Sequence, residues 1–471
     1  MITSRAFAGK HYAVLGLARS GLATVDALLA SGAQVTAWDG NEAARAKLLP
    51  PLPLQGERAG ERGESWQSER ALASRTAPSP QPSPPQAGAR EQVVLADPLT
   101  LDLTGFAAVV VSPGVPLNTH PIAAHAASFG VPVIGDIELF AQARADLPPH
   151  KVVGITGTNG KSTTTALIRH IIETAGIPVL MGGNIGLPIM GRDPLPAGGV
   201  YVLELSSYQI DLTFSLDCDV AVLTNITPDH LDRYDGFEGY AASKARLFAM
   251  QSANNAAVIA AEDNQTRKLA MGLSNDKSVV RVLSRFAQGQ ESWPALQGPH
   301  NAQNAVCAIA TCQNLGLASA QIEHGLRTYP GLPHRMERIG EKNGILFVND
   351  SKATNATATA PALAAYPAIH WILGGVPKTD DLDDCAPHFD HVRAAYTIGQ
   401  AGPMFANILR AAGKPVTESG TLAQAVQDAA KAAKPGEVVM LSPACASFDQ
   451  FSDYEARGDA FRAAVEALGL C

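Results

Sequence analysis

No CxxC pair occurs among the six cysteines, Cys218, Cys307, Cys312, Cys385, Cys445 and Cys471. A zinc framework or a disulfide scaffold is therefore not expected; the thiols read as small buried side chains of a reduced, cytoplasmic protein. No uninterrupted run of 18 apolar residues exists, so no membrane-spanning helix is expected. The amino-terminal stretch MITSRAFAGKHYAVLGLARSG lacks the layout of a secretory signal, because its apolar run is short and enters a glycine turn at once. Excess positive charge is also missing: 36 Lys and Arg face 44 Asp and Glu, a net charge of −8. Binding a nucleic-acid backbone needs a basic footprint, so nucleic acid is not an expected partner. Charged residues are only 17% of the chain, against about 25% in typical domains. That argues against a disordered polyelectrolyte and against a long coiled coil.

What is present is a chain of 471 residues, 46% of them apolar. At roughly 150 residues per domain this suggests three domains. Short apolar runs alternate with longer Ala/Leu-rich amphipathic segments. HYAVLGL (11–17) reads as a buried strand, residues 20–30 as a helix and AQVTAWD (33–39) as the next strand. Further strands are expected at 107–114, 131–136, 151–157, 201–207, 220–227, 345–352, 369–375, 394–399 and 437–444. Continuous apolar strands alternating with helices indicate an α/β fold with parallel sheets covered on both faces. Ligands of such folds bind in loops at the carboxyl ends of strands. The unusual polar clusters of this chain lie mostly there. Boundaries are expected in the proline-bearing segments RADLPPH (144–150) and YPGLPHR (329–335).

Residues 50–90 break the pattern. They hold eight of the 32 prolines, four glycines, and no Val or Ile. Proline removes backbone donors and fixes φ, and the apolar surface here is too small to offset ordering. A disordered or polyproline-like insertion is expected.

The strongest chemical signal is KVVGITGTNGKSTTTALIRHIIETAG (151–176). A strand ends in Gly157, Thr158, Asn159, Gly160, Lys161, Ser162 and Thr163, and a helix starts at once. Backbone N–H groups of such a loop converge on phosphate at the positive end of the helix dipole. Lys161 is placed to reach the β- and γ-phosphates of ATP, and a hydroxyl of Ser162 or Thr163 to ligate Mg²⁺. The loop is the shorter G-x-x-G-K-S-T form, since position 155 is Ile.

GLARSG (16–21) is a second glycine turn, with Ala18 where a dinucleotide fingerprint has Gly. The methyl group disfavours NAD in its usual pose, but a diphosphate held from another angle fits. Asp39, ending the second strand, is placed to accept from a ribose hydroxyl or a base. Glu204 ends the strand YVLEL, where a carboxylate is costly unless paired or bound to metal. His230 lies in TNITPDHLDRYDG among Asn225, Asp229 and Asp232, again after a strand. Lys244, in GYAASKARLF, is on residue chemistry alone an ordinary helix lysine. Asn184 sits in the tight turn GGNIG. Asn301 and Asn304 at a helix start either hold an adenine edge or cap the helix. Asp350, Ser351, Lys352, Thr354 and Asn355 cluster in VNDSKATNATAT, a donor-rich turn suited to an anion. LSPACASFDQFSDYEARG (441–458) is a similar turn. The residues alone thus point to ATP-driven activation of a substrate group, with outer domains supplying the partners.

GTNGKST, GGNIGLP, LELSSYQ, TNITPDHLDRY, LPHRME, NDSKATN and LSPACASFDQF occur here in one order. That ordered set resembles the Mur ligases over nearly the whole chain outside 50–90. NDSKATN and SPACAS are its most specific parts. Within the family it is most similar to ligases that add D-glutamate to UDP-N-acetylmuramoyl-L-alanine in peptidoglycan precursor synthesis. The resemblance implies a Rossmann-like UDP-sugar domain over 1–149 and a central ATP-binding domain of P-loop type over 150–331. It also implies a Rossmann-like amino-acid-binding domain over 332–471. It implies an acyl phosphate formed from the substrate carboxylate and ATP, then attacked by the D-glutamate amine. Lys161 would steady the transferring phosphoryl group. Ser162 and Glu204 would hold one Mg²⁺, and His230 with a carbamylated Lys244 a second. Arg19, Ser20, Asp39, Ser112 and Asn184 would line the UDP-sugar site. Asn301, Arg335 and Asp350 would contact ATP. Lys352, Thr354, Lys378, Ser447, Phe448 and Tyr454 would surround D-glutamate, with the chain acting as a monomer and its domains closing over the reactants. A folate-type polyglutamating ligase and a non-catalytic nucleotide-binding protein are the competing readings.

Overall fold

The computed structural model describes residues 1–48, 93–273 and 278–469. The expected insertion at 50–90 and Cys471 lie outside the described residues. Among those described, strands form three sheets. The first contains β1 (His11–Leu15), β2 (Gln34–Trp38), β3 (Val93–Leu95), β4 (Phe106–Val111) and β5 (Val133–Ile134), in the order β3-β2-β1-β4-β5. The second contains β6 (His150–Thr156), β7 (Val179–Gly183), β8 (Gly199–Glu204), β9 (Val220–Leu223), β10 (Ala256–Ala260) and β11 (Ser278–Val282), in the order β11-β10-β9-β6-β8-β7. The third contains β12 (Glu337–Lys342), β13 (Ile345–Asn349), β14 (Ile369–Gly374), β15 (Val392–Ile398), β16 (Val416–Gly420) and β17 (Val438–Leu441). Its order is β12-β13-β17-β14-β15-β16. Every described pairing is parallel except β12 with β13.

The inner strands are buried on both faces, as unbroken apolar sequence demands: β8 and β10 have no exposed residue. Val153, Ile155, Val202 and Val222 face one core with Ile168 and Ile172 of the helix Lys161–Thr174. Val152, Leu203 and Leu223 face the other. In each sheet the chain leaves a central strand in two directions, and the loops at that reversal face open space. In the first sheet the reversal lies between β1 and β4, in the second between β6 and β9, and in the third beside β17.

Strands β3, β7, β10, β11, β12 and β16 escaped the sequence reading. All but β10 are edge strands with little continuous apolar sequence, and β10 (AAVIA), one strand in from the edge, is too alanine-rich to stand out. The expected strand 220–227 stops at Leu223. Thr224 N–H still donates to the Thr156 carbonyl at 3.1 Å, but its Oγ1 donates to the Asn159 carbonyl at 2.6 Å, and from Asn225 on the chain braces the phosphate loop.

Candidate active site

The glycine loop between β6 and the helix Lys161–Thr174 is held from outside. Asn159 N–H donates to Asn225 Oδ1 (2.8 Å) and Thr158 N–H to the Asn225 carbonyl (2.9 Å). Gly160 has φ +84°, and a Cβ there would lie 2.3 Å from Asn304 Oδ1, so only glycine fits. Asn304 is in turn tied to Thr164 and Asn301: Thr164 Oγ1 donates to Asn304 Oδ1 (3.2 Å) and Asn304 Nδ2 to Asn301 Oδ1 (3.1 Å). Asn301 Nδ2 donates to the Gln297 carbonyl. The two asparagines therefore do not cap their helix; they form a buried amide chain that locks it to the phosphate loop.

Lys161 opens the helix, and its Nζ donates to the Gly157 and Thr158 carbonyls at 2.9 and 2.8 Å. Lys244, which sequence chemistry could not single out, proves to be 1% exposed. Its Nζ donates to the same Gly157 carbonyl at 2.9 Å and lies 4.4 Å from the Tyr240 ring centroid. It pairs with no carboxylate among the described residues. Burial first, then the neighbouring Lys161 charge, push its ammonium down to about 7. Burial also holds Lys161 below the usual lysine range, against Glu204 and Asp229; Arg335 adds to the lowering.

Glu204, at the end of β8, is buried; its Oε1 accepts from Asn184 Nδ2 at 2.9 Å and its Oε2 has no partner. Arg335 Nη2 donates to Ser162 Oγ at 3.2 Å, tying the third sheet's entry to the phosphate loop. Lys352 stands 3.8 Å over the Tyr454 ring. Burial depresses its charge, followed by Arg335 and Lys378. Arg335 thus disfavours the charge of both Lys161 and Lys352 and links the two lysines in one cationic region. Such a cluster suits a polyphosphate. An open cavity of about 180 Å³ lies there, lined by Asn159, Gly160, Thr163, Asn301, Arg335, Asp350 and Lys352.

His230 adopts φ +52° in an irregular loop, half exposed, with its ring 5.2 Å from Tyr208 and 6.3 Å from Tyr240. Among the described residues no three His, Cys, Asp or Glu side chains gather into a metal cage. The side chains present offer a cation the lone Glu204 oxygen and the Ser162 hydroxyl, the remaining ligands having to come from substrate or from a modified side chain.

In the third sheet's loops, Lys378 Nζ donates to Thr354 Oγ1 at 3.4 Å, Ser447 is buried, and Phe448 is 73% exposed. Arg457, fully buried, joins the NDSKATN and SPACAS turns: it donates to Ser351 Oγ (2.9 Å), the Ser351 carbonyl (2.8 Å) and the Cys445 carbonyl (3.0 Å). No sequence signal marks it, since a helix arginine is ordinarily solvated.

Asp350 is buried; its Oδ1 accepts from Met336 N–H (3.1 Å) and its Oδ2 from Ser442 Oγ (2.8 Å). Burial outweighs these bonds and pushes its carboxyl up to about 7. A folded pKa above the unfolded one favours folding below pH 4, and that contribution is lost as pH rises through about 7. Asp350→Asn should therefore gain stability relative to the parent between pH 5 and 8. At about 1.4 kcal/mol per unit the full difference is on the order of a few kcal/mol. Nucleotide affinity should fall. Melting curves of both proteins at pH 5 and pH 8 check this; a pH-independent difference would refute it.

A second cleft joins the first and second sheets. It is lined by Ala18, Arg19, Ser20, Pro113, Asp136, Gly183, Asn184 and Gln209. Ser112 Oγ donates to the Gly16 carbonyl at 2.9 Å, and a Cβ on Gly21 would lie 1.9 Å from that carbonyl oxygen. Asp39 accepts from Leu17 N–H (2.7 Å) and Asn41 N–H (2.8 Å), so its carboxylate shapes the glycine turn whatever else it binds. Asp136 was not singled out in the sequence; its position after β5 is the signal that marks it.

Three sheets, a braced phosphate loop and a cation cluster define a nucleotide-dependent enzyme. Residues 155–312 match the Mur ligase middle domain and residues 334–445 the Mur ligase glutamate ligase domain. The chain belongs to the Mur ligase family. It is 61% identical to the UDP-N-acetylmuramoylalanine–D-glutamate ligase of Novosphingobium aromaticivorans, over 99% of this chain and 97% of that one. Identity to the ligase of the same name from Sphingopyxis alaskensis is 60%, over the full length of both. The solved UDP-N-acetylmuramate–alanine ligase of Thermotoga maritima shares the fold (TM-score 0.53, 15% identity, covering 98% of this chain and 99% of that one).

Proposed function

We propose that the protein is an ATP-dependent amide ligase that adds D-glutamate to UDP-N-acetylmuramoyl-L-alanine, a step of peptidoglycan precursor synthesis. One observation carries this reading: Asn184, which lines the acceptor cleft, donates to Glu204, whose charge acts on Lys161 of the phosphate loop and on Lys352 of the cation-rich cavity. The relatives at 60–61% identity bear the name of that reaction.

In this reading residues 1–149 hold the UDP-sugar, 150–331 ATP and 332–471 D-glutamate. The acceptor's alanyl carboxylate attacks the γ-phosphorus of ATP and ADP leaves. The amine of D-glutamate then attacks the acyl phosphate carbonyl, loses a proton, and phosphate departs. Lys161 and Arg335 stabilise charge on the transferring phosphoryl group. Lys352, Lys378, Thr354 and Ser447 suit the two carboxylates of D-glutamate. Phe448 and Tyr454 border them.

The unpartnered Glu204 Oε2 and the Ser162 hydroxyl fit a hard cation such as Mg²⁺. Bound there, Mg²⁺ would neutralise phosphate charge. His230 and a carbamylated Lys244 would hold a second ion: with its pKa pushed down to about 7 the buried amine is partly neutral near neutral pH, the neutral form adds to CO₂ with loss of a proton, and the product is an anionic oxygen ligand. The chain is expected to act as a monomer.

The test is phosphate release from ATP and Mg²⁺ with UDP-N-acetylmuramoyl-L-alanine and a panel of amino acids, beside a folate acceptor. Release that requires D-glutamate supports the reading. Release insensitive to D-glutamate, or sustained by the folate acceptor, overturns it.

A further inference from the structure

Asp136 opens the helix Asp136–Ala143 directly after β5. It is 6% exposed and lines the acceptor cleft with Arg19, Ser20, Asn184 and Gln209. Its Oδ1 is buried with no hydrogen-bond partner. A buried carboxylate oxygen left unpaired is costly, so such an atom in a cleft wall marks a place where a ligand donor completes the site. Burial pushes its carboxyl up to about 6, opposed only by the N–H groups of residues 136 and 137. Among the described residues no neighbouring cation neutralises it.

The sign of this charge limits what it meets. A carboxylate repels a diphosphate, so the anionic part of a nucleotide sugar belongs elsewhere in the cleft, beside Arg19 at its helix N-terminus. Asp136 needs an uncharged donor, a hydroxyl or an amide N–H. Asn184 in the same cleft wall is bonded to Glu204, which places Asp136 on the wall that leads toward phosphoryl transfer. We propose that Asp136 accepts a hydrogen bond from the sugar–alanyl portion of the acceptor, and that it gives the cleft its preference for the intact acceptor over bare UDP. This rests on the acceptor reading above.

Titration calorimetry with UDP-N-acetylmuramoyl-L-alanine and, separately, with UDP tests it on the parent, Asp136→Asn and Asp136→Ala. Loss of a buried acceptor should weaken the intact acceptor roughly ten- to hundred-fold in Asp136→Ala. Asp136→Asn, which keeps an acceptor oxygen and the side-chain shape, should lose less. Affinity for UDP, and KM for ATP, should not change. Equal weakening of UDP and the intact acceptor would overturn the assignment, because the contact would then be to the nucleotide. Unchanged acceptor affinity in both variants would overturn it as well. If Asp136→Ala does not fold, the isosteric Asp136→Asn decides alone. A parent protein that does not turn over this acceptor would instead defeat the underlying reading.

Discussion

Lys161→Ala is expected to lower kcat/KM for ATP-dependent phosphate release by roughly 10³-fold, with most of the loss in kcat. The ammonium lies at the helix start, folded back on the Gly157 and Thr158 carbonyls. Those two bonds fix its position, and burial together with the neighbouring Arg335 lowers its pKa. A cationic group whose charge burial and a like neighbour disfavour gains most from an anion, and most of all where negative charge grows, at the transferring phosphoryl. The measurement is steady-state phosphate release with saturating acceptor and D-glutamate. Turnover within a few-fold of the parent would remove Lys161 from the ATP site. The fold should survive, because the phosphate loop is braced by Asn225 and Asn304 rather than by this side chain.

Lys244→Ala should be the next most damaging change, by roughly 10²-fold or more in kcat. Its Nζ is buried, contacts a loop carbonyl and an aromatic face, and meets no carboxylate among the described residues. An ammonium so placed does little for stability. Its removal therefore acts through chemistry, which rescue separates from packing. Small carboxylates such as acetate or formate should restore part of the activity of Lys244→Ala by standing in for the carbamate oxygens. Lys244→Met, which keeps the aliphatic volume, should melt near the parent yet remain inactive, with no rescue because the space is filled. Full activity in Lys244→Ala, or inactivity that no carboxylate relieves, would count against a carbamate at this position.

These two lysines show how differently a site can be written in a chain. Lys161 was legible because its neighbours in sequence are its neighbours in space: strand, glycines, lysine, hydroxyls and helix follow in order, and helix geometry does the rest. The same holds for Glu204 and Asp350, each at the end of an apolar strand, where parallel sheets expose loops, while Asn184 was legible only as a polar amide in a glycine turn. Lys244 was illegible from its surroundings, since nothing in GYAASKARLF says that its face of the helix Gly236–Ala249 packs under the Gly157 carbonyl. Only the resemblance to a family pointed to it. Arg457 had neither signal, and Asp136 only its place after the short strand β5. Arg457 serves two turns more than 100 residues upstream and a dozen residues upstream in the chain. Asp136 matters because the first sheet meets the second beside Asn184.

Length and the missing classes of residue bounded the protein early: no expected membrane helix, no cysteine framework, no basic footprint, and material for three α/β units. Apolar runs set which segments become inner strands, because burial on both faces requires that composition and tolerates little else. Edge strands such as β12 and β16 were decided by pairing with strands already in place, a nonlocal contact that their mixed residues do not announce. So were the amide chain of Asn301 and Asn304, the shared carbonyl of Lys161 and Lys244, and the lone oxygens of Glu204 and Asp136. Each of these depends on which atoms meet after distant segments pack, and on the loss of water that packing imposes. Local sequence specifies donors, acceptors and charges; their partners, and their pKa values, arise only once the sheets are assembled.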